Sequence, residues 1–393
     1  MTSVEHLLPS YLGRQRWFAG GEPDKVVVLD EHDLADGLQW LLVEAGGSRW
    51  QVVIGFRPAT EPPEFLHGHE GAVLGTVDDA LAFDAVLDPD YAKVLLQRVV
   101  PDQEATHVRP MGVEQSNTSL VFDDRLVLKL FRRVVDGPNP DVEVTEALAR
   151  QGFLHVAAPL ATWEHEGAHV AVVQPYLSGG AEGWALAQGS LRDLYACAAE
   201  GRVDPADAGG DFAAEARRLG EITARMHLAL AEAFGTEDGG DAVGAILRVH
   251  GDYHLGQVLR TDAGWFVLDF EGEPARPPAE RTAPSSPYKD VAGMLRSFHY
   301  AAQVALAERE AFEREQLIPP ADAWEARNRD AFLGGYHDVE GIGRLLPARE
   351  AERRRLLRRF ELEKALYEVR YEEAHRPDWA WIPQAAVARL QEG

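Results

Sequence analysis

Two carboxylates and one amide lie close together along the sequence, one in a polar loop and two beside short apolar runs. Asp252 lies in a polar loop with Gly251 and Gly256, residues that permit tight backbone turns. Gln257 and Asp269 flank two short apolar runs that are joined by Thr-Asp-Ala-Gly, a sequence typical of a β-hairpin. Such a hairpin predicts that Gln257 and Asp269 lie near each other.

These side chains have the chemistry of phosphoryl transfer. A carboxylate that accepts a hydroxyl proton, beside a carboxylate and an amide that hold Mg²⁺, positions a phosphoryl group in kinases. We therefore predict that Asp252 is the catalytic residue and that Gln257 and Asp269 are metal ligands. The alternative is a loop acid that caps a helix and an Asp269 that merely ends a strand. Because the loop acid, the amide and the strand-ending Asp269 occur together and in this order, we favour the catalytic interpretation.

The segments His250-Gly-Asp-Tyr-His-Leu-Gly-Gln257 and Leu268-Asp-Phe-Glu-Gly-Glu-Pro274 resemble the catalytic core of the aminoglycoside phosphotransferase-like kinases. They are most similar to actinobacterial maltokinases and glucosamine kinases, and most of the wider superfamily has Asn where this chain has Gln257. The resemblance extends from Arg16, in Arg-Trp-Phe-Ala-Gly, to Trp379. It implies an α+β, bilobal, eukaryotic-protein-kinase-like fold with an N-terminal cap subdomain.

Three regions are expected on this basis. Residues 1–100 would form the cap, residues 101–176 an N-lobe with the phosphate loop and a lysine strand, and residues 177–393 a mainly helical C-lobe. Short apolar runs predict strands in the cap, the last of them over Leu95–Val100. We expect the aromatic pair Trp17 and Phe18 to pack in its core, with the nearby arginines facing solvent.

Lys129 interrupts the apolar strand Leu126–Phe131, where a lysine needs an anionic partner or ligand. The alternative is a lysine on an edge strand that extends its ammonium into water. By analogy with the kinase lysine and helix glutamate, Glu143 is expected to orient Lys129 toward the ATP phosphates. Glu146 is a competing assignment.

Two further segments are candidates for nucleotide binding. The first is a polar turn between apolar runs, whose backbone N–H groups could hold phosphates. In maltokinase-like proteins a similar segment is the phosphate loop. The residues of this turn are Gln115, Ser116, Asn117, Thr118 and Ser119. An ordinary hairpin loop is the alternative. The second is the strand that ends at Pro175, where we expect a kinase hinge with backbone groups of Gln174 to Tyr176 that bind adenine. A domain linker would have the same sequence pattern.

The C-terminal region contains acids and aromatic residues at helical spacing. Carboxylates bind sugar hydroxyls and aromatic rings pack on sugar C–H faces. With the family context, the predicted substrate residues are His254, Asp290, Glu368, Tyr371, Glu372 and Trp379. Two of these residues have alternative interpretations. Asp290 could be an ordinary acid near the N-terminus of a helix, and Glu368 could form an exposed ion pair with Arg370.

Composition limits the classes of partner. The 393 residues include 39 basic and 64 acidic side chains, a formal net charge of −25 that argues against nucleic acid and anionic membranes. The single cysteine excludes an internal disulfide and a cysteine-based zinc site, and no residues show zinc-ligand spacing. No signal peptide or apolar run of about 18 residues is found, so we expect a cytoplasmic protein, monomeric or weakly homo-oligomeric.

The predicted function is an ATP- and Mg²⁺-dependent sugar kinase that converts glucosamine to glucosamine 6-phosphate. An acidic chain suits a cationic amino sugar. The alternatives are a maltokinase that forms maltose 1-phosphate, an aminoglycoside phosphotransferase, and a nucleotide-binding pseudokinase. The last predicts loss of a key residue, whereas Lys129, Asp252, Gln257 and Asp269 are all present.

Overall fold

The structure of the chain is a computed structural model that describes residues 4–18, 21–61, 63–112, 117–199, 201, 203–208, 210–273 and 276–392. The chain forms two compact units. Unit 1 comprises Met1–Val142 and Ala157–Ser178, and unit 2 comprises Glu143–Val156 and Gly179–Gly393. The predicted cap and N-lobe both fall mainly in unit 1, and their separation into two domains stays a prediction.

Among the residues that the structure describes, unit 1 contains two antiparallel sheets and three α-helices, the last of which continues into unit 2. The elements in chain order are α1 (Leu8–Gly13), β1 (Val26–Ala35), β2 (Leu38–Ala45), β3 (Ser48–Pro58), β4 (Val73–Val77), β5 (Ala80–Asp84), α2 (Pro89–Val99), β6 (Val108–Pro110), β7 (Thr118–Phe122), β8 (Leu126–Leu130), β9 (Arg133–Val134), α3 (Pro140–Arg150), β10 (Ala161–His165) and β11 (Ala168–Pro175). The first sheet has the order β1-β2-β3-β5-β4 with β9 beside β3, and the second has the order β10-β11-β8-β7-β6.

Both faces of strand β2 are buried, because successive side chains point to opposite faces of a sheet. Trp40 and Leu42 share a hydrophobic core with residues of β7, β8 and β11. Leu41 and Val43 pack on the other face, in a core with α1. The first sheet therefore lies between a helix and the second sheet, and the two sheets belong to one compact body.

The aromatic pair near the N-terminus packs as predicted. Trp17 and Phe18 are buried in the core on the α1 side of the first sheet, against Trp50. Arg14 and Arg16 are exposed, again as predicted. This aromatic cluster covers the outer face of the first sheet.

The predicted strand over Leu95–Val100 is wrong, because this segment belongs to helix α2. The Asp88 side chain accepts a hydrogen bond from the Asp90 backbone N–H at 2.9 Å, and Pro89 occupies the first helical turn. Both features start helices. An apolar run of this length does not distinguish a strand from a buried helix end.

A buried ion pair lies in the interior of unit 1. The Asp84 carboxylate accepts hydrogen bonds from Arg132 Nη2 and from the Tyr11 hydroxyl, each at 2.6 Å, and Asp84 is 4% exposed. Replacing Asp84 by Ala leaves the buried guanidinium without its charge partner. We expect this to lower the free energy of unfolding by about 3–5 kcal/mol, measured by urea denaturation followed by circular dichroism.

The matched control is Asp136→Ala, which breaks an ion pair with Arg49 at the surface of the same unit. The Asp136 side chain is 93% exposed, so solvent screens its charge and the change should be far smaller. Equal effects of the two substitutions would contradict the assigned role of the buried pair.

Unit 2 is mainly helical. Its remaining elements are β12 (Ala181–Glu182), α4 (Gly183–Ala199), α5 (Ala213–Phe234), β13 (Thr236–Asp238), β14 (Ala245–Leu247), β15 (Val258–Thr261), β16 (Gly264–Val267), α6 (Pro278–Arg281), α7 (Tyr288–Ala307), α8 (Ala311–Asp338), α9 (Glu350–His375) and α10 (Trp381–Glu392). Helix α7 is buried along most of its length and packs against α4, α8 and α9. Among the residues with assigned structure, no helix combines the length and the apolar character needed to cross a membrane.

Candidate active site

The loop that contains Asp252 lies between β14 and β15 and is held by helix α7. The Asp290 carboxylate accepts hydrogen bonds from the backbone N–H groups of His250, at 2.8 Å, and Gly251, at 2.9 Å. The Ser297 hydroxyl accepts one from the Leu255 N–H at 3.1 Å. Three backbone donors of the loop are therefore fixed by one buried helix.

The backbones of helix α7 and of the loop also approach each other closely. A Cβ atom at Gly293 of α7 would lie 2.5 Å from the Tyr253 carbonyl oxygen, too close for any side chain. The adjacent Tyr253 side chain is fully buried, and its hydroxyl is 2.9 Å from Thr223 Oγ1 on α5. Glycine at 293 thus lets α7 support the loop directly.

Asp290 was predicted as a substrate residue, and the structure corrects this assignment. Its side chain is completely buried and lies 3.1 Å from His227 Nε2. Burial alone would raise the pKa of Asp290, but the hydrogen bond to His227 and the nearby loop N–H groups hold it below the ordinary value. Asp290 is a positioning residue for the loop.

Asp252 shares an ion pair with a lysine from α9. Lys364 Nζ is 2.8 Å from Asp252 Oδ1 and also 2.8 Å from Glu273 Oε1, and Glu273 in turn binds Arg276. Burial favours neutral Asp252, but attraction to Lys364 outweighs it and holds the pKa of Asp252 well below the ordinary range. The two carboxylates likewise raise the pKa of Lys364 against the effect of burial. Asp252 is therefore an anion at neutral pH.

His254 lies beside this ion pair. Its Nε2 is 3.8 Å from Asp252 Oδ2, and its Nδ1 accepts a hydrogen bond from the Gly256 N–H at 3.0 Å. Burial lowers the pKa of His254, more than the neighbouring Asp252 raises it. A neutral imidazole next to the Asp252 carboxylate is compatible with the predicted contact of His254 to substrate, which stays a prediction.

The hairpin of β15 and β16 brings Gln257 and Asp269 together, as the sequence predicts. Gln257 Nε2 donates a hydrogen bond to Asp269 Oδ2 at 3.1 Å. Asp269 has a φ of 61°, a left-handed conformation that is uncommon for a residue other than glycine. The His250 Nε2 lies 2.9 Å from the Leu268 carbonyl, which ties the hairpin to the loop of Asp252.

An amide oxygen and a carboxylate are hard oxygen ligands of the kind that Mg²⁺ prefers. Gln257 and Asp269 are only partly buried, so an ion with its remaining water ligands could reach them. The donor set at the end of the hairpin therefore fits the predicted metal site.

Lys129 lies in strand β8, as predicted, but its partner differs from the prediction. Its Nζ is 3.1 Å from Oδ2 of Asp141, at the start of α3, and both side chains are mostly buried. Glu143 instead lies 4.0 Å from Arg248, and Glu146 pairs with Arg150 at 2.6 Å. The structure thus replaces the expected Lys129–Glu143 pair with Lys129–Asp141.

The predicted phosphate loop is described only in part. Gln115 and Ser116 lie outside the described residues, whereas Thr118 and Ser119 belong to strand β7 rather than to a loop. The Thr118 hydroxyl accepts a hydrogen bond from Arg132 Nε at 2.8 Å, and Asn117 and Ser119 are buried. The phosphate contacts predicted for Asn117, Thr118 and Ser119 stay predictions.

The predicted hinge lies at the end of β11, and its register determines which backbone groups are available. The Tyr176 N–H donates to the Arg125 carbonyl at 2.8 Å, and Gln174 lies opposite Val127 in the same ladder. Antiparallel partners alternate between bonded and non-bonded pairs, so Gln174 directs its backbone groups to β8, whereas the Tyr176 carbonyl accepts a hydrogen bond from the Ser178 N–H at 3.0 Å. The Pro175 carbonyl, the last of the strand, points the other way.

The two acids of α9 that were predicted to bind substrate, Glu368 and Glu372, contact basic or hydroxyl groups. Glu368 Oε2 accepts hydrogen bonds from Arg296 Nη2 and Nε at 2.6 and 3.2 Å, so its partner is Arg296 and not Arg370. Glu372 Oε1 accepts from Tyr300 and Arg376, whereas its buried Oε2 has no hydrogen-bond partner in the described part of the chain.

The aromatic residues near these acids form a stacked series. The rings of Tyr367 and Tyr371 have centroids 6.3 Å apart, and those of Tyr371 and His375 are 4.3 Å apart. Trp379 is half-buried in the 3₁₀ turn after α9. The predicted contacts of Tyr371 and Trp379 with a sugar stay predictions.

Lys364 is the functional candidate that sequence reasoning missed. A signal was present, because Lys364, Glu368 and Glu372 follow each other at intervals of four residues and so lie on one face of α9. The face that was predicted to bind substrate therefore also supplies the cation that binds Asp252.

Comparisons with known proteins agree with this architecture. Residues 11–88 match the Maltokinase N-terminal cap domain. The chain is 31% identical over 335 residues to the glucosamine kinase of Mycolicibacterium smegmatis, covering 74% of this chain and 82% of that relative. It is 29% identical over 356 residues to the glucosamine kinase of Streptacidiphilus jiangxiensis, covering 77% of each.

Solved structures show the same fold. One crystal form of a glucosamine kinase aligns with a TM-score of 0.68 and 21% identity, covering 98% of this chain and 97% of that one. A glucosamine kinase in complex with glucosamine, ADP and inorganic phosphate aligns with a TM-score of 0.64 and 22% identity, covering 99% and 100% of the two chains.

The cap and the fold place the chain in the structural class of the solved glucosamine kinases. Within it, the chain belongs to the glucosamine kinase family, as its 31% identity across most of both sequences shows. The predictions of a kinase-like α+β fold with an N-terminal cap, and of a sugar kinase from this branch, are confirmed.

Proposed function

We propose that the chain transfers the γ-phosphoryl group of ATP to the 6-hydroxyl of glucosamine. The observation that carries this proposal is the Asp252 carboxylate, held ionised by Lys364 in a loop that α7 fixes in place. The activity named for the relatives in Mycolicibacterium smegmatis and Streptacidiphilus jiangxiensis supports the choice of acceptor.

Asp252 would accept a hydrogen bond from the acceptor hydroxyl and orient its oxygen toward the phosphorus atom. A carboxylate with a depressed pKa is a weak base, so orientation contributes more than early proton removal. This suits a loose phosphoryl-transfer transition state, in which the attacking oxygen carries little extra charge until late.

The nucleotide would be bound by groups of unit 1. The mostly buried ammonium group of Lys129, which forms an ion pair with Asp141, would contact the ATP phosphates. The Pro175 carbonyl, which the register of β11 turns away from β8, would accept a hydrogen bond from adenine. Gln257 and Asp269 would hold Mg²⁺, which neutralises phosphate charge when bound.

The acceptor would be recognised by the acidic face of α9. Glucosamine carries an ammonium group that needs a carboxylate partner, and the buried Glu372 Oε2 is a carboxylate oxygen without a hydrogen bond among the residues that the structure places. Glu368, Tyr371 and Trp379 lie on or just after the same helix and would complete the contact with the sugar ring.

The proposal is tested by measuring ADP release from Mg-ATP with glucosamine, N-acetylglucosamine, glucose, maltose and an aminoglycoside as acceptors. We expect kcat/KM to be highest with glucosamine, and mass spectrometry with NMR of the product to place the phosphate on the 6-hydroxyl. Turnover on maltose alone would identify a maltokinase and contradict the proposal.

The metal site has a separate test. Asp269→Asn should raise the Mg²⁺ concentration needed for half-maximal activity by about 10-fold or more, because a neutral amide is a weaker ligand than a carboxylate. The control is Asp262→Asn, an exposed residue in the turn of the same hairpin. An unchanged Mg²⁺ dependence in Asp269→Asn would indicate a structural role.

A further inference from the structure

A second group of ligating side chains lies in unit 1, among residues that the proposed reaction does not use. Asp30 and His32 lie two positions apart on β1, and His165 is the last residue of β10. His32 Nε2 and His165 Nε2 lie 3.1 and 3.2 Å from the same carboxylate oxygen, Asp30 Oδ2. One ligand atom from each side chain falls within 4.8 Å of the other two.

The contacts in this cluster are not ordinary hydrogen bonds. His165 Nε2 is buried and has no hydrogen-bond partner within the described ranges, although it lies 3.2 Å from a carboxylate oxygen. The N–H direction of the ring therefore misses that oxygen. Because an unsatisfied buried nitrogen is costly, this arrangement favours a shared ligand at the point where the three side chains converge.

The cluster is also held in place by its neighbours. The completely buried Trp40 is stacked on the His32 ring, with centroids 5.6 Å apart and planes at 16°, and its centroid is 4.7 Å from that of His165. Trp40 Nε1 donates to Gln51 Oε1 at 2.9 Å, which fixes the indole. Asp30 Oδ1 accepts from the Glu31 N–H, so the other oxygen faces the two imidazoles.

The ligand set selects the kind of ion. Two imidazole nitrogens and one carboxylate oxygen suit Zn²⁺ and the neighbouring ions Co²⁺ and Ni²⁺, whereas Mg²⁺ and Ca²⁺ prefer oxygen alone. The side chains of His32 and Asp30 are 52% and 37% exposed, so water can provide the remaining ligand.

We propose that Asp30, His32 and His165 form a binding site for a transition-metal dication, with Zn²⁺ as the physiological candidate. The ion would join β1 of the first sheet to β10 of the second and so stabilise unit 1. This role is separate from phosphoryl transfer and does not depend on the proposed function.

The test uses the full chain freed of metal with a chelator, in buffer without nucleotide. Binding of Zn²⁺ is measured by equilibrium dialysis with elemental analysis, and the melting temperature is measured with and without Zn²⁺. We expect a stoichiometric site in the wild type, with an affinity that falls at least ~10-fold in His32→Ala, and a Zn²⁺-dependent rise in melting temperature that this variant loses.

Tryptophan emission provides a second readout. Co²⁺ at the site should quench Trp40, which contacts both imidazole rings, and His32→Ala should abolish the saturable part of this quenching. His32 is half exposed, so its replacement should preserve the fold.

The matched control is His107→Ala, which removes an exposed histidine 3.5 Å from Asp123 in the same unit. It should leave Zn²⁺ binding unchanged. The proposal is overturned if the wild type binds no Zn²⁺ at micromolar concentrations, or if His32→Ala and His107→Ala bind it equally.

Discussion

Replacing Asp252 by Asn is expected to lower kcat by about 10³-fold while the chain stays folded and still binds Mg-ATP. Asparagine has almost the same shape but no negative charge, so it cannot hold the acceptor hydroxyl in the same way. Lys364 keeps its second partner, Glu273, at 2.8 Å, which limits the structural cost. The measurement is ADP release at saturating acceptor, together with nucleotide binding by calorimetry.

The control for this variant is Asp241→Asn, an exposed residue in the turn between β13 and β14. It makes the same chemical change on the same unit and should leave kcat unaltered. Near-normal turnover of Asp252→Asn would remove Asp252 from the catalytic role.

Replacing Lys364 by Met should lower both stability and activity. The change leaves two largely buried carboxylates, Asp252 and Glu273, without their shared cation. We expect the free energy of unfolding at pH 7 to fall by about 3 kcal/mol. We also expect kcat to fall by about 10²-fold, since Asp252 loses the contact that fixes its charge and position. Urea denaturation and ADP release measure the two effects.

The pH dependence separates a positioning role of Lys364 from a purely structural one. Lys364 keeps the pKa of Asp252 below its ordinary value, so this carboxylate stabilises the fold above about pH 4 and loses that effect as pH falls further. In Lys364→Met the effect of burial on Asp252 is no longer opposed by the lysine, and the pKa of Asp252 should rise. The acid limb of the kcat/KM profile should therefore move to higher pH.

Two further variants complete this experiment. Lys364→Arg retains a positive charge and should recover part of the activity and the original acid limb. Lys93→Met removes a helical lysine 3.9 Å from the exposed Asp90 and should change neither property. An acid limb that stays in place in Lys364→Met would mean that Lys364 does not control the charge of Asp252.

Local patterns predicted the central parts of the site. The hairpin that joins Gln257 to Asp269 is encoded within a few residues, and so is the strand that contains Lys129. The lysine's partner was less predictable, because Asp141 and Glu143 lie two positions apart and so about 200° apart around a helix. Which of them faces Lys129 depends on how α3 is rotated, and tertiary packing decides that rotation.

Tertiary packing also explains the other differences between the predicted and the observed site. Asp290 looks like an ordinary acid at a helix N-terminus, and only the packing of α7 under the loop reveals that it binds the N–H groups of His250 and Gly251. Lys364 lies 112 residues from Asp252, a separation at which sequence spacing carries no information about contact. The cluster of Asp30, His32 and His165 likewise comes from strands in different sheets.

The path of the chain between the two units has a consequence for how the protein resists proteolysis. The chain passes from one unit to the other at 142/143, at 156/157 and at 178/179, so three covalent connections join them. A protease cut at any one of these points leaves two intact links. We therefore expect a singly nicked chain to remain one particle with both units attached, until a denaturant separates the fragments.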